Sequence, residues 1–214
     1  MSVKWVDYDC KFVNPVISEE DAIHKIEYAY RVCYNSIDKM KIESYEDSIK
    51  FVKDKIKLGH GSPLEHVNIT VDMIIDRGIL AEWTRHRISS FSVESTRYCK
   101  YSGDIECILP TQLRNASEED KRVFENGIIN ACDNYQLLLS KGVSPQNARG
   151  VLPQSLKVHM VVTHNIREWF HVFDLRYFGK AGNPHPDFKY CMNKVYRMFN
   201  SKYPNIFSEE PIQI

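Results

Sequence analysis

The chain of 214 residues is 43% hydrophobic and 26% charged, enough apolar material for one substantial core and too short for several independent domains. Its 28 basic and 28 acidic side chains cancel, which excludes a global positive field for collecting nucleic acid or coating an acidic membrane. No apolar run approaches the roughly 20 residues needed to span a bilayer, and the opening Met-Ser-Val-Lys-Trp-Val-Asp does not read as a signal peptide. The six cysteines (Cys10, Cys33, Cys99, Cys107, Cys132, Cys191) form no Cys-x-x-Cys pair, so neither a structural metal nor a disulfide framework is expected. A soluble, cytoplasmic protein follows.

After an N-terminal segment rich in turn residues, Ser18 precedes Glu19-Glu20-Asp21, and apolar residues recur at Ile23, Ile26, Tyr30 and Cys33, predicting a capped amphipathic helix. Ser44 with Asp47, an apolar face of Ile49, Val52 and Ile56, and Gly59 at the end predict a second. The loop Gly59-His60-Gly61-Ser62-Pro63-Leu64-Glu65-His66 then offers two glycines where backbone can approach a ligand closely. Val67, Ile69, Val71, Met73 and Ile75 alternate as a half-buried strand, and Ile79 to Trp83 reads as a short helix.

That helix delivers the densest chemistry in the chain. Between Glu82 and Tyr101 stand Arg85, His86, Arg87 and Arg97 among several hydroxyls. A guanidinium is always charged and presents a planar fork to phosphates and flat heterocycles, so the cluster predicts an anionic, nucleotide-like ligand. With zero net charge over the whole chain, it is a site and not a surface trend.

The stretch from Tyr101 to Asn115 reads as strand ends and loop. Ser117 with Glu118, Glu119 and Asp120 opens a long helix ending near Gly142. Pro145 starts a short helix holding Arg149, and Pro153 closes it. A second alternating strand (Leu156, Val158, Met160, Val162) leads through Asn165 into a helical stretch with Arg167, His171 and Arg176. A loop from Phe178 to Asp187 precedes a last amphipathic helix, and the tail of about residues 205–214 reads as loose. The Gly-rich phosphate turn of a dinucleotide fold is missing, so any cofactor must be held differently.

Arg85-His86-Arg87, seven residues and then Ser95 resemble the signature of the flavin-dependent thymidylate synthases. Gly59-His60, Ser62-Pro63, Glu65-His66, Arg97-Tyr98, Ala148-Arg149 before Leu152-Pro153, and Asn165 with Arg176 resemble that family's other blocks in order. The resemblance implies an α+β fold, a single domain over 1–214 with a mainly antiparallel sheet flanked by helices, assembled as a homotetramer with sites at subunit interfaces. It implies an enzyme making dTMP from dUMP with FAD, methylenetetrahydrofolate as carbon donor and NADPH as reductant, with no protein nucleophile.

Carried over residue by residue, the resemblance assigns FAD to His60, Ser62, Arg85, His86, Arg87, Asn165, Arg167 and His171. It assigns dUMP to Glu82, Trp83, Arg85, Glu94, Ser95, Thr96, Arg97, Arg149 and Arg176, with Arg176 catalytic and no metal. A guanidinium at the uracil edge favours the ionised imide and pushes charge toward C5, the carbon to be alkylated. Two positions depart from the family's pattern: Val93 stands where many relatives carry Glu, and Glu82 where relatives often carry Gln.

Two other classes compete. A metal-dependent hydrolase could use His60, Glu65, His66 and His86, but the histidines lack zincin spacing. A single-strand nucleic-acid module could use Arg85, Arg87, Arg97 and Lys100 interleaved with Phe91, Tyr98 and Tyr101, against the zero net charge.

Overall fold

The computed structural model describes residues 3–40, 44–101 and 103–207. In chain order the elements are β1 (Val3–Val6), β2 (Asp9–Phe12), α1 (Glu19–Cys33), α2 (Tyr45–Lys57), β3 (Asn68–Asp76), α3 (Arg77–Trp83) and β4 (Ser89–Val93). There follow β5 (Ile105–Ile108), α4 (Thr111–Arg114), α5 (Glu118–Ser140), α6 (Pro145–Ala148), β6 (Lys157–Asn165), α7 (Ile166–Phe173) and α8 (Pro186–Lys202). Among the described residues, no helix is long and apolar enough to cross a membrane.

The helices start where side-chain oxygens can take up orphan N–H groups. Ser18 Oγ accepts from Asp21 N–H at 3.0 Å, Ser44 Oγ from Asp47 at 3.4 Å and Ser117 Oγ from Asp120 at 3.1 Å, and acidic residues fill each first turn against the helix dipole.

One sheet has the order β2-β3-β6-β4. It is antiparallel, because partner numbers fall on one strand as they rise on the next. Val13 N–H bonds Thr70 O while Tyr8 bonds Asp76; Thr70 meets Thr163 while Asp72 meets His159; Ser89 meets His164 while Glu94 N–H bonds His159 O. A second sheet is a parallel pair, β1 with β5, in register from Val3↔Ile105 to Val6↔Ile108. The expected antiparallel sheet is therefore accompanied by a short parallel one.

The chain divides into two compact units. The first comprises the segments ending at Cys10, Asp72–His86 and Phe91–Val161. Its small core gathers Ile105, Cys107, Ile128, Cys132 and Leu156, with Trp5 stacked against Phe124 on α5. The second comprises Lys11–Val71, Arg87–Ser90 and the chain from Val162. Here Trp169, fully buried, donates its indole N–H to Ile69 O at 3.1 Å and packs on Phe199 with ring centres 4.6 Å apart. Phe173 and Phe207 complete the cluster around Phe199.

Two sequence expectations need correction, and one strand had none. The N-terminal segment holds two strands instead of turns, each only four residues long and too short for periodicity to resolve. The Arg-rich stretch contains β4, whose Ser-Ser-Phe-Ser-Val carries a single strong apolar signal at each of two positions. The tail does not loosen at residue 205: Ile206 and Phe207 are buried, and Asn205 N–H bonds Glu19 at 2.6 Å. Residues 208–214 lie outside the described residues.

Candidate active site

In the first unit, α3 is fixed at its start by three satisfied N–H groups. Arg77 donates to Leu156 O and Gly78 to Gln154 O, each at 3.2 Å, and Ile79 donates to Asp76 Oδ1 at 2.7 Å. The buried Tyr8 hydroxyl bonds the other Asp76 oxygen, Oδ2. The helix presents Glu82 half-buried, ends on Trp83, whose side chain is fully buried in the core, and passes to exposed Arg85 and buried His86. Trp83 thus anchors the end of the helix that carries its neighbours.

Beyond β4 the chain folds into a tight turn around Ser95. Arg97 N–H donates to Ser95 Oγ at 3.2 Å, while Tyr98 and Cys99 N–H donate to Ser95 O at 3.2 and 2.9 Å. Thr96 is buried and its hydroxyl accepts from Arg149 Nη1 at 3.1 Å. The Arg97 guanidinium is exposed, bonds Gln146 Oε1 through Nε at 3.1 Å and lies 5.2 Å from the Tyr98 ring. The fold therefore brings together Ser95, Thr96, Arg97 and Arg149, which are separated by more than fifty positions in the chain. Two guanidiniums and two hydroxyls around one turn suit an oxygen-rich anion such as a phosphate.

Glu94, next to that turn, is held on several sides. Tyr101 donates its hydroxyl to Oε1 at 3.2 Å, and Lys157 Nζ stands 3.3 Å from Oε2. Burial and the Glu94 carboxylate push the Tyr101 hydroxyl well above the ordinary tyrosine range, so it remains a donor at neutral pH. Val93 is half-buried at the end of β4.

In the second unit, a cavity of about 440 Å³ is lined by Gly59, Glu65, Ile88, Asn165, Arg167, Glu168, His171 and Asp174. It collects three of the predicted cofactor residues, Asn165, Arg167 and His171. Asn165 caps α7, its Oδ1 accepting from Glu168 N–H at 2.8 Å, which commits the oxygen and leaves the amide nitrogen as donor. Arg167 is steered by Glu65, Nη1 to Oε1 at 2.6 Å, and lies so close over Gly61 that a Cβ there would sit 2.9 Å from Nε. Gly61 is thus a residue whose missing side chain makes room for a guanidinium.

His60 is exposed, with Nδ1 2.7 Å from the Tyr34 hydroxyl and its ring stacked on Tyr34, while Tyr30 bonds its carbonyl. Ser62 opens a 3-10 turn, Ser62–His66, and is exposed, as is Arg87. Arg176 belongs to this second unit, in a π-helical turn, Asp174–Phe178, with its guanidinium 5.0 Å from the Phe188 ring centre.

Sequence reasoning did not single out Glu168, Asp174 or Ile88 as cavity residues. A partial signal for two of them exists: Glu168 and Asp174 each stand three positions from His171, the spacing of helix-surface neighbours. Ile88, next to the Arg-His-Arg run and 63% exposed, had none beyond its adjacency.

The antiparallel sheet, the turn held by Arg149 and the polar cavity belong to a mixed helix–sheet protein with two candidate sites. A family model described as "Thymidylate synthase complementing protein" matches residues 16–205. A flavin-dependent thymidylate synthase of Geobacter sulfurreducens is 36% identical over 158 residues, 72% of this chain and 68% of its own. One from Corynebacterium glutamicum is 34% identical over 173 residues, 73% of this chain and 68% of its own. The chain belongs to the flavin-dependent thymidylate synthase family. The fold agrees with that of a UMP/dUMP methylase, PolB, from Streptomyces cacaoi, solved with 5-Br dUMP bound. That likeness has a TM-score of 0.79 over 97% of this chain and 95% of the other, at 21% identity.

Proposed function

We propose that the chain is a methyltransferase that converts dUMP to dTMP, with methylenetetrahydrofolate as one-carbon donor and NADPH-reduced FAD as reductant, without a protein nucleophile. The observation that carries the reading is the Arg149–Thr96 contact beside the Ser95 turn, a ready-made anion grip in a member of this family. Arg97 and Arg149 bind the dUMP phosphate with Ser95 and Thr96. A charge-assisted hydrogen bond contributes about 1.5–3 kcal/mol, so two or three are enough for roughly micromolar binding. Ser95 acts as a ligand: its oxygen already accepts the Arg97 N–H, as in a structural turn. Arg176 stabilises the uracil imide deprotonated at N3 and raises electron density at C5.

The donor set of the second unit's cavity fits the cofactor. Asn165, Arg167 and His171 offer an amide, a guanidinium and an imidazole to an anionic, oxygen-rich molecule, and Gly61 keeps space beside the guanidinium. His60, Ser62, Arg85, His86 and Arg87 complete the proposed set. When bound, the flavin supplies the reducing equivalents for the methyl group. The protein's part is to neutralise the negative charge that reduction creates, which is what arginine and histidine do there. The working form is a homotetramer, in which neighbouring chains complete each site.

A single preparation tests this. The purified protein is expected to be yellow, or to take up FAD, to sediment at four chain masses when followed at the flavin absorbance, and to oxidise NADPH faster when dUMP is added. A colourless protein indifferent to FAD and dUMP would falsify the reading, and an active yellow monomer would remove the tetramer from it.

A further inference from the structure

Lys157, the first residue of β6, is not among the residues that hold substrate or cofactor in this reading, yet it is the centre of an ion network next to the nucleotide-binding turn. Its Nζ lies 3.3 Å from Glu94 Oε2 and 3.4 Å from Glu106 Oε2, with its side chain only 20% exposed. Glu106 Oε1 is taken by Lys4 at 2.8 Å. Glu94 Oε1 accepts the Tyr101 hydroxyl, and Glu94 N–H donates to His159 O at 2.9 Å, two residues along β6 from Lys157. Tyr101 is in turn tied through its carbonyl to Gln136 on α5. The turn that carries Ser95, Thr96 and Arg97 is thus tethered at its first residue, through Glu94, and at its far end, through Tyr101.

The charges explain why a cation is needed at this point. Glu94 and Glu106 are both partly buried, at 20% and 35% side-chain exposure, and both lie within reach of the same ammonium. Without Lys157 they would face each other as like charges in a medium that screens poorly. Lys4 and Lys157 together hold the Glu106 carboxyl below its ordinary range, a sign that the network is electrostatically matched. A Glu94 carboxylate released from Lys157 would also place an uncompensated anion one residue from the turn that must accept a phosphate. The partners of Lys157 lie on β5 and beside the turn, far from it in the chain, so no local pattern in the sequence marks it.

We propose that Lys157 is a positioning residue for the nucleotide-binding turn, acting through Glu94, which fixes the turn and keeps its electrostatics favourable for an anionic substrate. The inference rests on the dUMP reading above. It gives Glu94 a role different from direct contact: the carboxylate is the link between the β6 lysine and the Ser95 turn.

The test uses the full-length FAD-loaded protein and dUMP titrations. Lys157→Met is expected to raise the dUMP Kd and KM about tenfold or more, with kcat changed much less and FAD retained. Lys157→Arg is expected to restore most of the affinity. In the Lys157→Met background, Glu94→Gln is expected to recover part of the loss, because it removes the stranded anion. If Lys157→Met does not fold, Tyr101→Phe releases the same carboxylate from its other side and should weaken dUMP in the same direction. Wild-type protein that fails to bind dUMP overturns the nucleotide reading and this inference with it. Wild-type binding with an unchanged Kd in Lys157→Met, or in Tyr101→Phe when the first variant is unfolded, overturns the inference alone.

Discussion

Arg176 occupies a π-helical turn that closes on Gly179 in the left-handed region, φ 72°, where a Cβ would lie 3.0 Å from Gly182 O. The turn is tied off by Lys180, whose N–H bonds Asp174 O at 2.9 Å and whose ammonium bonds Asp174 Oδ2 at 2.8 Å. Such turns cost backbone regularity and persist where surrounding contacts fix them, frequently at functional sites. Phe188 on α8 supports the guanidinium from one side. On the proposed role of Arg176 at the uracil, Arg176→Ala is expected to retain flavin and lose dTMP formation by about a hundredfold or more in kcat/KM. Undiminished turnover in a flavin-replete variant would remove this residue from the mechanism. At this scale, what the sequence revealed was residue type in a family spacing, and the fold brings Arg149 against Thr96 in the Ser95–Arg97 turn. The steering partners were not legible, because Lys157, Glu65 and Tyr34 reach their targets across the fold, and neither periodicity nor motif encodes such pairs.

Helix α3 carries part of the first unit's candidate site, and its start shows how one carboxylate serves two elements. Asp76 ends β3, caps α3 and receives the buried Tyr8 hydroxyl. Asp76→Ala removes the cap, typically about 0.5–2 kcal/mol, and with it the carboxylate that accepts the buried Tyr8 hydroxyl, a hydrogen bond to a charged group of about 1.5–3 kcal/mol. The expected loss is roughly 2–4 kcal/mol in urea unfolding, with Asp76→Asn milder because asparagine also caps. A loss below about 0.5 kcal/mol would show that α3 starts independently of Asp76. The caps at Ser18, Ser44 and Ser117 were legible because a hydroxyl preceded an acidic turn and a periodic apolar face. Asp76 was hidden by its place at the end of an alternating strand, where an acidic residue reads as the strand's polar face. Strands β1, β2 and β4 escaped for a related reason: four or five residues hold too few alternations to establish a period, and pairing with distant strands decides them.

For the molecule as a whole, the balanced charge leaves pH dependence to particular groups, four of them tyrosines, of which Tyr30 and Tyr203 are buried and Tyr45 and Tyr101 partly so. Burial is the first cause that raises the hydroxyls of Tyr30, Tyr45, Tyr101 and Tyr203, with Tyr45 and Tyr203 pushed up to about 12 and Glu19 adding to both. Each hydroxyl also has a place to donate: Tyr45 to Glu19 Oε2 at 3.2 Å and Tyr203 to Ile17 O at 3.0 Å, for example. The unfolded chain ionises its tyrosines near the ordinary value of about 10, whereas the folded chain keeps these four protonated to higher pH. Their contribution to stability is therefore complete below about pH 10 and is lost as pH rises from there toward 12, because the unfolded state then binds fewer protons than the folded one. Melting temperature is expected to be nearly level between about pH 8 and 9.5 and to fall steeply above about pH 10, at roughly 2–4 °C for each kcal/mol lost. Tyr203→Phe should start from a lower melting temperature, since the hydrogen bond to Ile17 is gone, but descend less steeply. A wild-type profile that stays flat to about pH 11.5, or a Tyr203→Phe slope equal to that of the wild type, would mean that the buried hydroxyls ionise in the folded chain as readily as in the unfolded one.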